Sequence, residues 1–166
     1  MSDVIKIYAQ MRDKDSDSAK WTQVGTTHFM YVEGNRVMDY GKRMDEMESG
    51  TEANVAESIL SDYEYLEQVN VSVTDLDAFR EEFVETIDTF RNDRKYALKA
   101  LGLQHVKQPM TNPVDRDMFD GLDNNHFSDF VEAFHMVTQL NMIKHIAEYQ
   151  GVFSLNREIQ LVFVLS

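Results

Sequence analysis

Residues 74–102, TDLDAFREEFVETIDTFRNDRKYALKALG, decide the fold class. Leu76, Phe79, Phe83, Ile87, Phe90, Ala97 and Leu101 recur at the spacing of one helical face, so the stretch predicts a long amphipathic helix. Thr74 suits its N-cap, with Asp77 three residues on as a variant capping box. Gly102 suits the position just past its C-terminus.

Outward from this helix the chain divides cleanly. Residues 103–125 hold both prolines, Pro109 and Pro113, with Gly121 and several Asp and Asn, and predict an irregular connection. A further helix is expected from about Phe127 to Gln150, stopping at Gly151. Its apolar residues (among them Phe130, Val131, Phe134, Val137, Leu140, Met142, Ile143 and Ile146) spread around much of the circumference, which suits a central core helix or a dimer contact. Arg157 to Leu165 alternates Ile159, Leu161, Phe163 and Leu165, the period of a strand.

Towards the N-terminus, Thr51 is placed to cap a helix to about Glu67, with Val55, Ile59, Tyr63 and Leu66 on its buried stripe. Before it, His28–Glu33 and Arg36–Tyr40 flank Gly34-Asn35, a two-residue hairpin signal. Residues 4–11 alternate Ile5, Ile7, Ala9 and Met11 as a first strand, and residues 13–18 are small and polar, as in a loop. The expectation is one α+β domain over residues 1–166, in the order β-β-β-α-α-α-β. A small, mostly antiparallel sheet (N-terminal strand, hairpin, C-terminal strand) packs against three helices.

Composition narrows the function classes. The chain of 166 residues is 43% hydrophobic, ample for a core, and has no cysteine. Disulfides, cysteine-based metal sites and thiol nucleophiles are therefore excluded. The N-terminus lacks the basic and apolar regions of a secretory signal, and Leu161–Leu165 is the longest apolar run, far short of the ~20 residues of a membrane span. A cytoplasmic protein without membrane contact is expected. The formal net charge of −13 and the lack of a basic cluster argue against direct nucleic-acid binding and favour basic partners.

The charge is concentrated. Residues 39–93 carry sixteen acids against Lys42, Arg43, Arg80 and Arg91, nearly the whole imbalance. On the long helix, Asp77, Glu81 and Glu85 fall at i, i+4 and i+8 opposite the apolar stripe, with Glu82 and Asp88 beside them. Like charges one turn apart cost roughly 0.2–0.5 kcal/mol each, so such a ridge breaks a local rule. With Glu57, Asp62, Glu64 and Glu67 from the preceding segment, it forms a candidate partner-binding surface. Carboxylates spaced about 6 Å along a helix are comparable to successive phosphates of one DNA strand. A solvated face is the plainer reading: the helix macrodipole accounts for the acids of the first turns and for Arg91, Arg94, Lys95 and Lys99 near the end, though less well for Glu85 and Asp88.

Catalytic signatures are weak. His105, His126, His135 and His145 lie near Asp115, Asp117, Asp120, Asp123, Asp129 and Glu132, a composition able to ligate a transition metal. Glu132 and His135 share one helix face, but the two-metal bundle design needs a second such pair, and His145 with Glu148 points elsewhere. The run Asp115–Gly121 fails as a calcium loop, since Arg116 takes the first ligand position and Phe127 the twelfth. Phosphate-binding, dinucleotide, nucleophile-elbow and zincin motifs are absent, and nothing requires an enzyme or a cofactor. The ten methionines, including Met30, Met38, Met44 and Met47, read as core filler before they read as an adaptable surface.

The function expected is that of a small acidic inhibitory or regulatory protein. It would bind a basic, nucleic-acid-binding or nucleic-acid-processing protein as a nucleic-acid mimic. Small phage and mobile-element proteins that block host defence nucleases share this size and composition. Two alternatives stand beside it: a metal-dependent hydrolase using His105, His126 and His135, and an assembly subunit dimerising through the 127–150 helix or the last strand.

Overall fold

Two long antiparallel strands, β1 (Val4–Asp13) and β6 (Arg157–Leu165), form the centre of the sheet, in register from Ile5 opposite Leu165 to Asp13 opposite Arg157. They belong to a computed structural model that describes residues 4–15, 20–25, 30–34, 36–100, 124–150 and 157–166. The chain divides into two compact units, Met1–Phe79 with Gln139–Ser166, and Arg80–Thr138.

The sheet lies wholly in the first unit. β2 (Thr22–Gln23) and β3 (Met30–Glu33) pair with different halves of β1, while β5 (Asn70–Asp75) pairs with β6, and β4 (Glu48–Ser49) pairs with β5. All these pairings are antiparallel, in the order β2-β1-β6-β5-β4, with β3 also on β1. Among the described residues the helices are α1 (Arg36–Met44), the single turn α2 (Glu57–Leu60), α3 (Leu76–Ala100) and α4 (Asn124–Gln150). The α+β class is thus the expected one, with an antiparallel sheet and, among the described residues, the three longer helices α1, α3 and α4.

Alternation along the strands gives each face of the sheet its own layer. On one face Ile5, Ile7, Ala9 and Met11 line up with Leu161 and Phe163, all buried. Here Tyr40 of α1 stacks on Phe163 with ring centroids 6.4 Å apart, and Phe79 of α3 meets it edge-on at 5.3 Å. The Arg43 guanidinium lies 4.9 Å from the Phe79 ring centroid, and the Ser72 hydroxyl donates to the Met44 carbonyl at the end of α1 (3.1 Å). Aromatic pairs of this kind add about 0.5–1.5 kcal/mol beyond their burial.

The opposite face carries Tyr8, Val73, Val162 and Val164, packed with Val55, Ala56 and Ile59. Tyr63, Val69 and Val71 close the margin of this second cluster. The sheet is therefore covered on both sides, and β1 is buried on both: Tyr8 and Gln10 are as inaccessible as Ile5 and Ile7.

Three local readings are corrected. Arg36–Tyr40 is helical, not the second strand of a hairpin. Val37, Tyr40 and Met44 at i, i+3 and i+7 are buried, while Gly34, at φ +77°, turns the chain and accepts the Val37 N–H (3.0 Å). Residues 51–67 do not form one helix; they contain a 3-10 turn (Glu52–Asn54), α2 and a second 3-10 turn (Leu66–Gln68). The reason is tertiary. The buried Gln10 amide takes both the Asn54 carbonyl and the Ala56 N–H, and the half-buried Gln160 amide shares that carbonyl; a continuous helix would use these groups, and Val55 is extended. Finally, Thr74 lies in β5 opposite Leu161, and Asp75 caps α3 by accepting the Ala78 N–H (3.0 Å). Gly102, Pro109, Pro113 and Gly121 lie outside the described residues.

In α4, Leu140, Ile143 and Ala147 are buried in the first unit, and Ala133 and Met136 in the second. Met30 and Met44 are core residues, whereas Met38 is exposed. Among the described residues, no helix is long and apolar enough to cross a membrane.

Candidate functional site

All nine carboxylates singled out from the sequence are exposed. In the first unit, Glu57 sits in the first turn of α2, Asp62 follows that helix, Glu64 comes next, and Glu67 lies in the second 3-10 turn. Asp77, in the first turn of α3, is engaged: Lys144 of α4 reaches its carboxylate at 3.0 Å. That exposed ion pair is worth little in stability, but it takes one anion out of the ridge. Glu81, Glu82, Glu85 and Asp88 belong to the second unit, where helical geometry puts Glu81 and Glu85 one turn apart.

The first unit also contains a concave feature with no sequence signature. An open cleft of about 790 Å³ lies between residues 20–25 and residues 52–62. Glu52, Glu57 and Asp62 line it together with one base, Lys20; Trp21, Ala53 and Val55 supply apolar wall. Its volume falls within the range of ligand clefts.

Both walls are fixed from the strands beneath them. On one side, Val24 donates its N–H to Ala9 O (2.9 Å) and the Thr22 hydroxyl donates to Met11 O (3.2 Å), holding β2 on β1. Arg12, paired with Glu158, stacks its guanidinium 4.4 Å from the Trp21 ring centroid and so orients the indole. On the other side, Gln10 is fully buried on β1; its Oε1 accepts the Ala56 N–H (2.7 Å) and its Nε2 donates to Asn54 O. Gln160, opposite Gln10 in the sheet, donates to the same Asn54 carbonyl at 2.6 Å. Two strand amides therefore hold the 52–56 backbone against the sheet.

Behind Asp62 lies a phenol pair, the Tyr8 and Tyr63 hydroxyls 2.9 Å apart. Burial pushes the Tyr63 phenol well above its ordinary value, with further rises from its Tyr8 hydrogen bond and from the Asp62 charge. Tyr8 is raised as well, chiefly by burial, against the lowering effect of its bond to Tyr63. Both stay protonated and neutral through the physiological range and supply hydrogen bonds, not charge.

The metal reading finds no assembled donor set among the described residues, where no three His, Asp or Glu side chains stand together. His135 is exposed, and His145 lies 3.6 Å from Glu148. His105, Asp115, Asp117, Asp120 and Asp123 lie outside the described residues, as does the calcium-like run.

No protein-family model, curated protein or solved structure matches the chain. Lys20, Trp21 and Glu52, which help form the cleft, escaped the sequence reading. The available signal was the chain's single tryptophan, directly after a lysine in an otherwise polar stretch.

Proposed function

We propose that this chain is an acidic binding protein that occupies a basic partner, a nucleic-acid-binding or nucleic-acid-processing protein, through its exposed carboxylates. The observation that carries the reading is the exposure of all nine acids in a chain of net charge −13. Exposed like charges speed association with a partner of opposite sign and exclude nucleic acid itself. The spacing of Glu81 and Glu85 suits competition with a phosphate backbone, and blocking a host nuclease is a setting in which such competition is useful.

The test is capture by the immobilised protein from lysate of its source, followed by elution with rising salt. A nucleic-acid-binding protein is expected, released by salt and displaced by added DNA or RNA. It should fail to bind a variant combining Glu81→Gln, Glu85→Gln and Asp88→Asn with Glu57→Gln and Asp62→Asn. A partner held equally well by that variant, or held at high salt, refutes the reading.

Self-assembly is a second reading, favoured by Met142 and Tyr149 on α4, which are 51% and 75% exposed. Sedimentation across a wide concentration range distinguishes it: a stable homodimer supports assembly, and a monomer at all concentrations removes it.

A further inference from the structure

We propose that the cleft between residues 20–25 and 52–62 holds an extended basic segment of the partner, with its cationic side chain among Glu52, Glu57 and Asp62 and its backbone along Gln23. The inference rests on the acidic-binder reading and locates where the partner's chain enters.

Three features of the cleft converge on such an occupant. The first is charge. Three carboxylates face one lysine across the lining, and the nearby Arg12 is already committed to Glu158 and the Trp21 ring. The Glu52, Glu57 and Asp62 side chains are all on exposed residues, so an incoming cation replaces water and leaves no buried pair broken. The second is the apolar wall of Trp21, Ala53 and Val55, against which the methylenes of lysine or arginine can lie while the charged head reaches the acids.

The third is the sheet edge. Among the described residues β2 ends the strand order, and Val24 gives its N–H to Ala9 O. By the alternation of antiparallel pairing, Gln23 turns its own N–H and C=O away from β1, towards that edge. Gln23 also lines the cleft. A peptide strand laid there gains main-chain hydrogen bonds, the mode by which sheet edges recruit extended segments. A compact polyamine satisfies the carboxylates but leaves these backbone groups unused, so the geometry favours a polypeptide.

Trp21 is the only tryptophan in the chain, and its emission reports directly on the cleft. The probe is a short, end-blocked, fluorescently labelled peptide alternating arginine and valine, titrated at low salt while peptide anisotropy is followed; an unlabelled copy is used for Trp21 emission. Saturable changes in both signals are expected. The combined variant Glu52→Gln, Glu57→Gln, Asp62→Asn should weaken binding by about tenfold or more. Gln23→Pro, which removes the outward N–H at an edge position tolerant of proline, should weaken the peptide and spare spermine. The helix variant Glu81→Gln, Glu85→Gln, Asp88→Asn removes as many charges from outside the cleft and should weaken peptide binding less than the cleft variant does, and circular dichroism checks that each variant is folded.

Other outcomes overturn the proposal in distinguishable ways. Peptide binding that leaves Trp21 unchanged and is lost in the helix variant refutes the cleft while preserving the acidic-binder reading. A response to spermine as strong as that to the peptide refutes the extended segment. No response to the peptide, alongside salt-sensitive capture of a basic partner, refutes the cleft alone; no response and no capture refutes both.

Discussion

Gln10→Leu is the substitution that most directly tests how the cleft wall is held. Gln10 is fully buried, and its amide bonds two backbone groups of the facing segment. Leucine fills nearly the same volume, so the change deletes hydrogen bonds with little cavity. Ala56 is itself buried, at 3% exposure, and its N–H loses the 2.7 Å bond to Gln10 Oε1. A buried donor left without a partner costs about 1–3 kcal/mol. The Asn54 carbonyl fares better, since Gln160 Nε2 still donates to it at 2.6 Å; loss of the second donor costs about 0.5–1 kcal/mol. Greater apolar burial by leucine offsets part of this, by about 1 kcal/mol. The net expectation is a loss of about 2 kcal/mol. Gln160→Leu removes only one of two donors to Asn54 O and should cost below about 1 kcal/mol. Equilibrium urea unfolding followed by circular dichroism measures both, and hydrogen exchange should show faster exchange at Ala56 in Gln10→Leu alone. If Gln10→Leu lies within about 0.5 kcal/mol of wild type, or Gln160→Leu costs as much, then the amides do not hold this segment and the account of the broken 51–67 helix fails with it.

Other expectations follow from single contacts. The Tyr8 and Tyr63 phenols keep their protons to higher pH in the folded chain than in the unfolded one. Stability from this pair is therefore complete below the ordinary phenol value of about 10 and is lost as pH rises above it, by at most about 1.4 kcal/mol per pH unit for each tyrosine. Tyr63→Phe should flatten that alkaline decline in urea titrations above pH 10, and an unchanged slope counts against the pairing. Asp75→Ala removes the cap on Ala78 N–H and should cost about 1 kcal/mol; a loss too small to measure would move the cap elsewhere. Gly50→Ala would put a methyl 2.8 Å from Val71 Cγ1 and 3.3 Å from Val55 Cγ2. Branched valines yield little, so a loss of about 1–3 kcal/mol should appear as a lower Tm, and an unchanged Tm would show that the contact relaxes freely.

What could be read in the sequence was whatever one element decides alone. Arg157–Leu165 was legible to the residue because both the alternation and the polar flanks lie within it. The same holds for Leu76, Phe79 and Ile87 of the α3 stripe, all buried, since a long periodic pattern outweighs any single residue. β5 was missed although Val69, Val71 and Val73 alternate, because three residues of alternation beside a strong helical pattern carry little weight. Its placement comes from pairing with β6, Val71 opposite Val164 and Val73 opposite Val162. In Arg36–Met44, Gly34 marked the turn correctly but not the structure that follows it. Burial of Val37, Tyr40 and Met44 along one helical side, with Tyr40 against Phe163, identifies that structure.

The candidate site divides along the same line. Exposure of the nine acids was predictable, since an unpaired carboxylate is too costly to bury and no residue nearby could neutralise so many. The concavity was not, because it is made by two distant segments meeting over β1: β2 delivers Trp21 through its pairing at Met11 and Gln10, and the Gln10 amide delivers Glu52 and Glu57 by holding the backbone between them. A glutamine on the strand phase opposite Ile5, Ile7, Ala9 and Met11 carries no functional signature in the sequence. Its position is nevertheless what divides the acidic segment into short turns and leaves three of its carboxylates on one wall. Helical continuity through 51–67 would have distributed Glu52, Glu57 and Asp62 around a cylinder, since five-residue steps rotate by about 140° at 100° per residue. An acidic surface needs only charge; a cleft that selects an extended basic chain needs that break, and in this protein the break is written on a different strand.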